Sequence, residues 1–170
     1  MPRLRRQLTL FVPAPARELL EDLRRELDPA QHARIAAHVT LCREDEFSAA
    51  DVARGGERAA TAPPLTLAFG APERFDGHGV LLRCRDGADA FAALRRAMLA
   101  RDDVRPHGAH VTLAHPRNPR APGNTDAALA RAPTAFACTF AAIDLIEQVD
   151  DGPWRVLAHW PLAAPSRPTA

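Results

Sequence analysis

The chain has 170 residues, of which 46% are hydrophobic and 25% charged, the balance of an ordinary soluble protein with one full-sized core or two small lobes sharing one. A net charge of +1 excludes a global field that would recruit nucleic acid, although a small RNA end or nucleotide needs only a few local cations. Cys42, Cys84 and Cys138 are odd in number and widely spaced, which excludes a disulfide framework and a Cys-x-x-Cys metal knuckle and fits reduced, buried thiols of a cytoplasmic protein.

At the N-terminus, Met1–Arg6 is basic, but the apolar run Leu8–Val12 stops at Pro13 and is too short for a signal peptide or a membrane span. Arg5 and Arg6 read as solvated flanking charges. Gln7–Val12 alternates as a first strand. Pro15 is suited to open a helix at its first position, and Leu19, Leu20, Leu23 and Leu27 form one apolar stripe at helical spacing, ending near Asp28-Pro29. His38–Cys42 is a short β-type run. Ser48 is an N-cap for a weak helix over Ala49–Arg58, interrupted by Gly55-Gly56. Leu65–Phe69, extending toward Phe75, and Val80–Cys84 make a hairpin around Asp76–Gly79. Phe91, Leu94 and Met98 mark a second strong helix running to about Arg101. His110–Ala114 is a strand, Pro116–Gly123 a loop, and Asn124 or Thr125 caps a short helix to about Arg131. Ala135–Gln148 reads as one long strand-like stretch, and Asp150–Pro153 turns the chain into a returning strand over Trp154–Trp160. The domain spans 1–162, and residues 163–170 form a flexible tail.

The word His-Val-Thr-Leu occurs at His38–Leu41 and again at His110–Leu113. In a strand, residues i and i+2 share a face, roughly 6.6 Å apart. His38 therefore projects with Thr40, and His110 with Thr112. Two such pairs on one cleft supply a general base, a general acid and two hydroxyl donors for an anion, the parts that phosphodiester chemistry needs. The order strand, helix, motif strand recurs after the hairpin, as in an internal duplication. The expected fold is therefore α+β: two pseudo-symmetric lobes, each a mainly antiparallel sheet with helices outside, and a central cleft carrying both motifs.

Paired His-x-Thr motifs, one per half, resemble those of the two-histidine (2H) phosphoesterase superfamily, in particular its bacterial 2′-5′ RNA ligase and 2′,3′-cyclic phosphodiesterase branch. Leu8–Pro13 with the leucine-rich helix after it resembles that branch's opening strand and helix, and Trp154–Leu162 resembles its closing strand. The chain departs from the pattern in having no Tyr, with Trp154 where the family often has one. The basic residue that commonly follows the second motif has His115, Arg117 or neither as its counterpart here.

The resemblance implies a metal-independent enzyme without a cofactor, opening 2′,3′-cyclic phosphates to 2′-phosphates and reversibly joining RNA through 2′-5′ linkages. It favours His110 as general base and His38 as general acid; the residues alone do not order them. The partner is RNA with a cyclic phosphate end, or a small cyclic nucleotide, bound by a cytoplasmic monomer that needs no membrane. Arg117 and His115 are candidate phosphate contacts, and Phe11 and Trp154 candidate stacking walls for a base. His107, His110 and His115 cluster in sequence, but His110 and His115 have opposite strand parity and no carboxylate or Cys stands at ligand spacing, so no metal site is expected. His32, His78 and His159 are assigned no role. Two alternatives remain: a phosphodiesterase for ADP-ribose cyclic phosphate or 2′-5′ oligoadenylate, and a non-catalytic RNA-end or nucleotide-binding module.

Overall fold

Short alternating runs and two amphipathic helices set the architecture. The computed structural model describes residues 2–75, 78–133 and 135–164. In order, the elements are β1 (Leu4–Phe11), α1 (Ala16–Leu27), α2 (Pro29–His32), β2 (His38–Arg43), α3 (Ala49–Ala53), α4 (Gly55–Thr61) and β3 (Leu65–Phe75). They continue as β4 (His78–Asp86), α5 (Ala88–Leu99), β5 (His110–Ala114), α6 (Asp126–Leu129), β6 (Phe136–Phe140), β7 (Ala142–Val149) and β8 (Arg155–Pro161). The class is α+β, as expected.

The eight strands form one continuous antiparallel sheet of order β6-β3-β4-β5-β2-β1-β7-β8. The two motif strands are its central neighbours, in register at Val39↔Val111. Each is flanked by the strand that precedes it, β1 for β2 and β4 for β5, with α1 or α5 as the connection. One strand–helix–motif strand unit therefore lies on each side of the β2–β5 seam.

Both helices pack by the spacing their sequences carry. Helix α1 buries Leu20, Leu23 and Leu27, and α5 buries Phe91, Leu94 and Met98, each at i, i+3, i+7. Leu19 is 53% exposed: one residue before Leu20, it is rotated about 100° off the apolar face, so the stripe is narrower than its leucines imply. The helices and Val39, Leu41, Val111 and Leu113 share a single core, leaving His38, Thr40, His110 and Thr112 on the other face of the motif strands.

Several local readings change in three dimensions. Pro15 stands at the N-cap of α1 rather than inside its first turn. Ser48 caps α3 in a reciprocal capping box with Asp51, but the expected helix over Ala49–Arg58 is two short helices. The second starts at Gly55, against the ring of Trp160, where any Cβ would lie 2.2 Å from a ring carbon. The stretch Ala135–Gln148 is two strands rather than one. Phe140 and Ile143 both face the core, and a separation of three cannot do that within a two-residue period. The chain breaks at Ala141; β6 then pairs with β3 at one edge of the sheet, and β7 with β1 toward the other. Thr125 occupies the N-cap of α6 without a side-chain bond, while Asn124 Oδ1 accepts from Arg74 Nη1 (2.7 Å) and from the Gly79 N–H (2.9 Å). Of the expected tail, Ala163 donates its N–H to the Ala62 carbonyl at 2.8 Å, and residues 165–170 lie outside the described residues, as do Asp76 and Gly77 of the hairpin turn and the side chain of His78. No helix among the described residues is long and apolar enough to cross a membrane.

The loop after β5 returns across the end of α1. Gly123 donates to the Leu27 carbonyl at 2.7 Å, and a Cβ there would lie 2.4 Å from Leu27 Cβ and 2.8 Å from its Cα. Backbone must therefore move to admit Gly123→Ala. The expected cost is about 1–3 kcal/mol, read as a lowered urea midpoint with an unchanged slope.

Candidate active site

Strand alternation presents His38 and Thr40 on one face of β2, and His110 and Thr112 on the same face of β5, with Val39, Leu41, Val111 and Leu113 buried behind them. All four polar side chains line one cleft of about 860 Å³. Each imidazole is held the same way. His38 Nδ1 lies 2.8 Å from the Ala36 carbonyl, and His110 Nδ1 lies 2.9 Å from the Gly108 carbonyl. A carbonyl only accepts, so Nδ1 carries the proton in both rings, and in the neutral form Nε2 keeps its lone pair. The repeated word extends one residue further, to Ala-His-Val-Thr-Leu: Ala37 and Ala109, both buried, precede the two histidines.

Burial sets the protonation of these rings. It pulls His38 down to about 4 against the opposing Ala36 carbonyl, with the charges of Arg24, His110 and His115 adding to the effect. Burial also lowers His110, opposed by the Gly108 carbonyl and assisted by Arg83 and Arg43. Both shifts favour the neutral ring near pH 7. An anion that binds against them favours the imidazolium, so binding takes up protons. Sulfate affinity is expected to rise as pH falls from 7.5 toward 5, by at most about tenfold per unit for each proton taken up. Calorimetric titration at several pH values measures this, and a pH-independent affinity would show that the imidazoles do not face the anion.

His115 also lines the cleft, contrary to its expected parity. Strand β5 ends at Ala114, and the chain then turns so that the His115 N–H donates to Asp28 Oδ2 at 2.9 Å. The Arg117 N–H donates to His115 Nδ1 at 3.0 Å, so the neutral His115 ring carries its proton on Nε2, the opposite tautomer from His38 and His110. Asp28, buried at the start of α2, also accepts from Asn118 Nδ2 at 2.8 Å and fastens this loop.

Arg117 and Trp154 line the cleft as well. The Trp154 N–H is bonded to the Arg34 carbonyl at 2.8 Å, and the Arg5 guanidinium lies 5.4 Å from the centre of the Trp154 ring. Phe11 is not part of the lining; it sits opposite His38 in register and packs edge-on against that imidazole, with ring centres 6.4 Å apart.

Most of the cationic wall leaves no signal in the sequence. Arg5 is a cleft residue rather than a solvated flank, and Arg34, Arg43 and Arg83 join it. They come from separate elements, and no local spacing relates them. His107 Nε2 donates to the Thr40 carbonyl at 3.2 Å, and the His107 ring lies 5.7 Å from that of His110. It thus ties the loop before the second motif to the first motif.

The family model described as the 2′-5′ RNA ligase superfamily matches residues 11–152. A search of curated proteins found no match. Among solved structures, a phosphoesterase crystal structure aligns at a TM-score of 0.63 and 18% identity over 95% of this chain and 100% of that one. Escherichia coli LigT complexed with 3′-AMP aligns at 0.61 and 21% identity, covering 96% of this chain and 100% of that one. TT0787 of Thermus thermophilus aligns at 0.56 and 18%, covering 93% and 97%. At these identities the structures establish a shared fold. The family match, spanning both His-x-Thr words, carries the assignment: this chain belongs to the 2′-5′ RNA ligase superfamily of two-histidine phosphoesterases.

Proposed function

We propose that this protein opens 2′,3′-cyclic phosphates, on RNA ends or small nucleotides, to 2′-phosphates by general acid–base catalysis, and that it joins 2′-5′ linkages in the reverse direction. The observation that carries the reading is the matched pair of imidazoles, each held through Nδ1 on a backbone carbonyl and each lining the same arginine-walled cleft beside a threonine. His110 Nε2 takes a proton from water as its oxygen bonds to phosphorus. The bond from phosphorus to the 3′ oxygen breaks, and the protonated Nε2 of His38 delivers its proton to that oxygen. The Thr40 and Thr112 hydroxyls donate to the nonbridging oxygens as charge accumulates on them, and Arg43 and Arg83 compensate that charge. His115 donates from Nε2, Arg117 contacts phosphate, and Trp154 stacks on a base. Phe11 orients His38. Protonating the leaving oxygen needs neither a metal nor a cofactor.

Likeness to LigT structures described with 3′-AMP and ATP supports a nucleotide-sized ligand. The test is hydrolysis of a 2′,3′-cyclic mononucleotide and of a cyclic-phosphate-ended oligonucleotide, both in chelator, with the phosphate isomer identified. Metal-independent formation of the 2′-phosphate is expected. Formation of the 3′-phosphate would overturn the assignment of the leaving oxygen. Lack of turnover of either substrate by folded protein would favour the binding-module reading.

A further inference from the structure

The two imidazoles rest on equivalent carbonyls, but different groups stand behind those carbonyls. The Ala36 C=O and the Ala37 N–H belong to one planar peptide unit. Its oxygen accepts from His38 Nδ1 at 2.8 Å, and its N–H donates to Glu21 Oε1. Glu21 projects from α1, where its carboxylate also meets Arg24 Nη1 and His32 Nε2, each at 3.2 Å. Arg24, only 3% exposed, donates from Nη2 to the Ile35 carbonyl at 2.8 Å. Helix α1 thus grips the chain on both sides of Ala36. In the second motif the Gly108 carbonyl accepts from His110 at 2.9 Å, but among the described residues no carboxylate is bonded to the Ala109 N–H.

We propose that Glu21 is a positioning residue that acts on His38 through the Ala36–Ala37 peptide, stabilising the His38 imidazolium against the burial and cations that oppose it. The physical basis is polarisation along a hydrogen-bonded chain. A negative charge on the N–H side of a peptide increases the negative charge on its oxygen, which strengthens acceptance from Nδ1–H and stabilises the imidazolium. A serine-protease triad places its carboxylate directly on the histidine Nδ1–H; here one peptide unit stands between them. The carboxylate takes no proton. His38 gains and releases its proton at Nε2, and the Nδ1–H stays on Ala36.

The groups facing His38 oppose the imidazolium: Arg24 from α1, His110 from β5 and His115 from the loop after it. Glu21 itself faces Arg24 and His32. A carboxylate delivered through the peptide counters the Arg24 charge without occupying space in the cleft. The inference rests on the two-histidine reading for its catalytic consequence, the capacity of His38 to hold the proton it donates, but not for its physical test.

That test is Glu21→Gln, which keeps an acceptor oxygen for the Ala37 N–H and removes the charge. NMR reads the imidazole titrations of His38 and His110, with and without saturating sulfate, together with the Ala36 carbonyl carbon and Ala37 amide shifts. None of these requires turnover. The His38 titration is expected to move to lower pH by roughly half to one unit, less than a directly contacting charge produces. The His110 titration should hold, and the two peptide signals should move with His38. If the cyclic phosphate is a substrate, kcat falls about three- to tenfold at unchanged KM, the pattern of an interaction made in the transition state. An unmoved His38 titration in folded Glu21→Gln would overturn the proposal. So would a His38 shift without any change at Ala36, because Arg24, stripped of its counter-ion, would then be acting through space. Failure of hydrolysis in the wild type, with these shifts intact, would count against the proposed reaction and leave the relay standing.

Discussion

His38→Ala and His110→Ala are each expected to lower kcat/KM for a 2′,3′-cyclic nucleotide by roughly 10²–10⁴-fold, and the double variant by little more than the worse single one. Each substitution removes one Nε2 and leaves the other imidazole on its own carbonyl, since the two rings are held by separate peptides. Both side chains are half-buried at the cleft face, so their loss opens the cleft rather than the core. A retained wild-type rate in either variant would remove that imidazole from the mechanism. The wild-type pH profile carries the same information. The base must be neutral, so the rate falls below its pKa; the acid must be protonated, so the rate falls above its pKa. Burial holds His38 down to about 4 and also lowers His110. The kcat/KM profile of the unliganded enzyme is therefore expected to be a bell displaced to the acid side of 6.5, the value for ordinary imidazoles. A plateau through neutral pH would contradict the two-imidazole scheme.

Arg95→Ala is expected to cost about 3–5 kcal/mol of stability, because it strips the buried Glu46 carboxylate of its closest cation and leaves it the Arg43 N–H at 2.8 Å and Arg105 Nε at 3.9 Å. Arg95 on α5 is 3% exposed and bonds Glu46, itself 6% exposed. It also donates from Nε to the Leu41 carbonyl at 2.9 Å and from Nη1 to the Arg105 carbonyl at 2.7 Å. One side chain therefore holds the end of the first motif and the loop that delivers the Gly108 carbonyl to the second. Urea unfolding measures the loss. Replacing both partners, as Arg95→Met with Glu46→Leu, should recover much of it, since apolar groups leave no uncompensated charge. Recovered stability with unrecovered hydrolysis would separate the two tasks of Arg95, holding the fold and fixing the spacing of the motifs. A cost below about 1 kcal/mol for Arg95→Ala would mean that water reaches Glu46.

Local periodicity is what a sequence carries most plainly, and it determined the elements of this protein that depend on it. A period of two fixed the motif strands and put His38 with Thr40 and His110 with Thr112; the i, i+3, i+7 pattern fixed α1 and α5. Repetition of one word in two halves located the catalytic candidates without any coordinates. Other features depend on which segments meet. The cationic wall draws Arg5, Arg34, Arg43 and Arg83 from distant segments, which is why a net charge of +1 concealed it. His115 turns into the cleft because Asp28, 87 residues away, holds its backbone. The stretch 135–148 is strand-like throughout, yet its two halves find partners toward opposite edges of the sheet. Glu21 reaches the peptide behind His38 only because α1 packs over the chain that enters β2. Hydrogen-bond partners and burial are properties of long-range contacts, and those contacts are settled by the order of strands in the sheet, which no local pattern encodes.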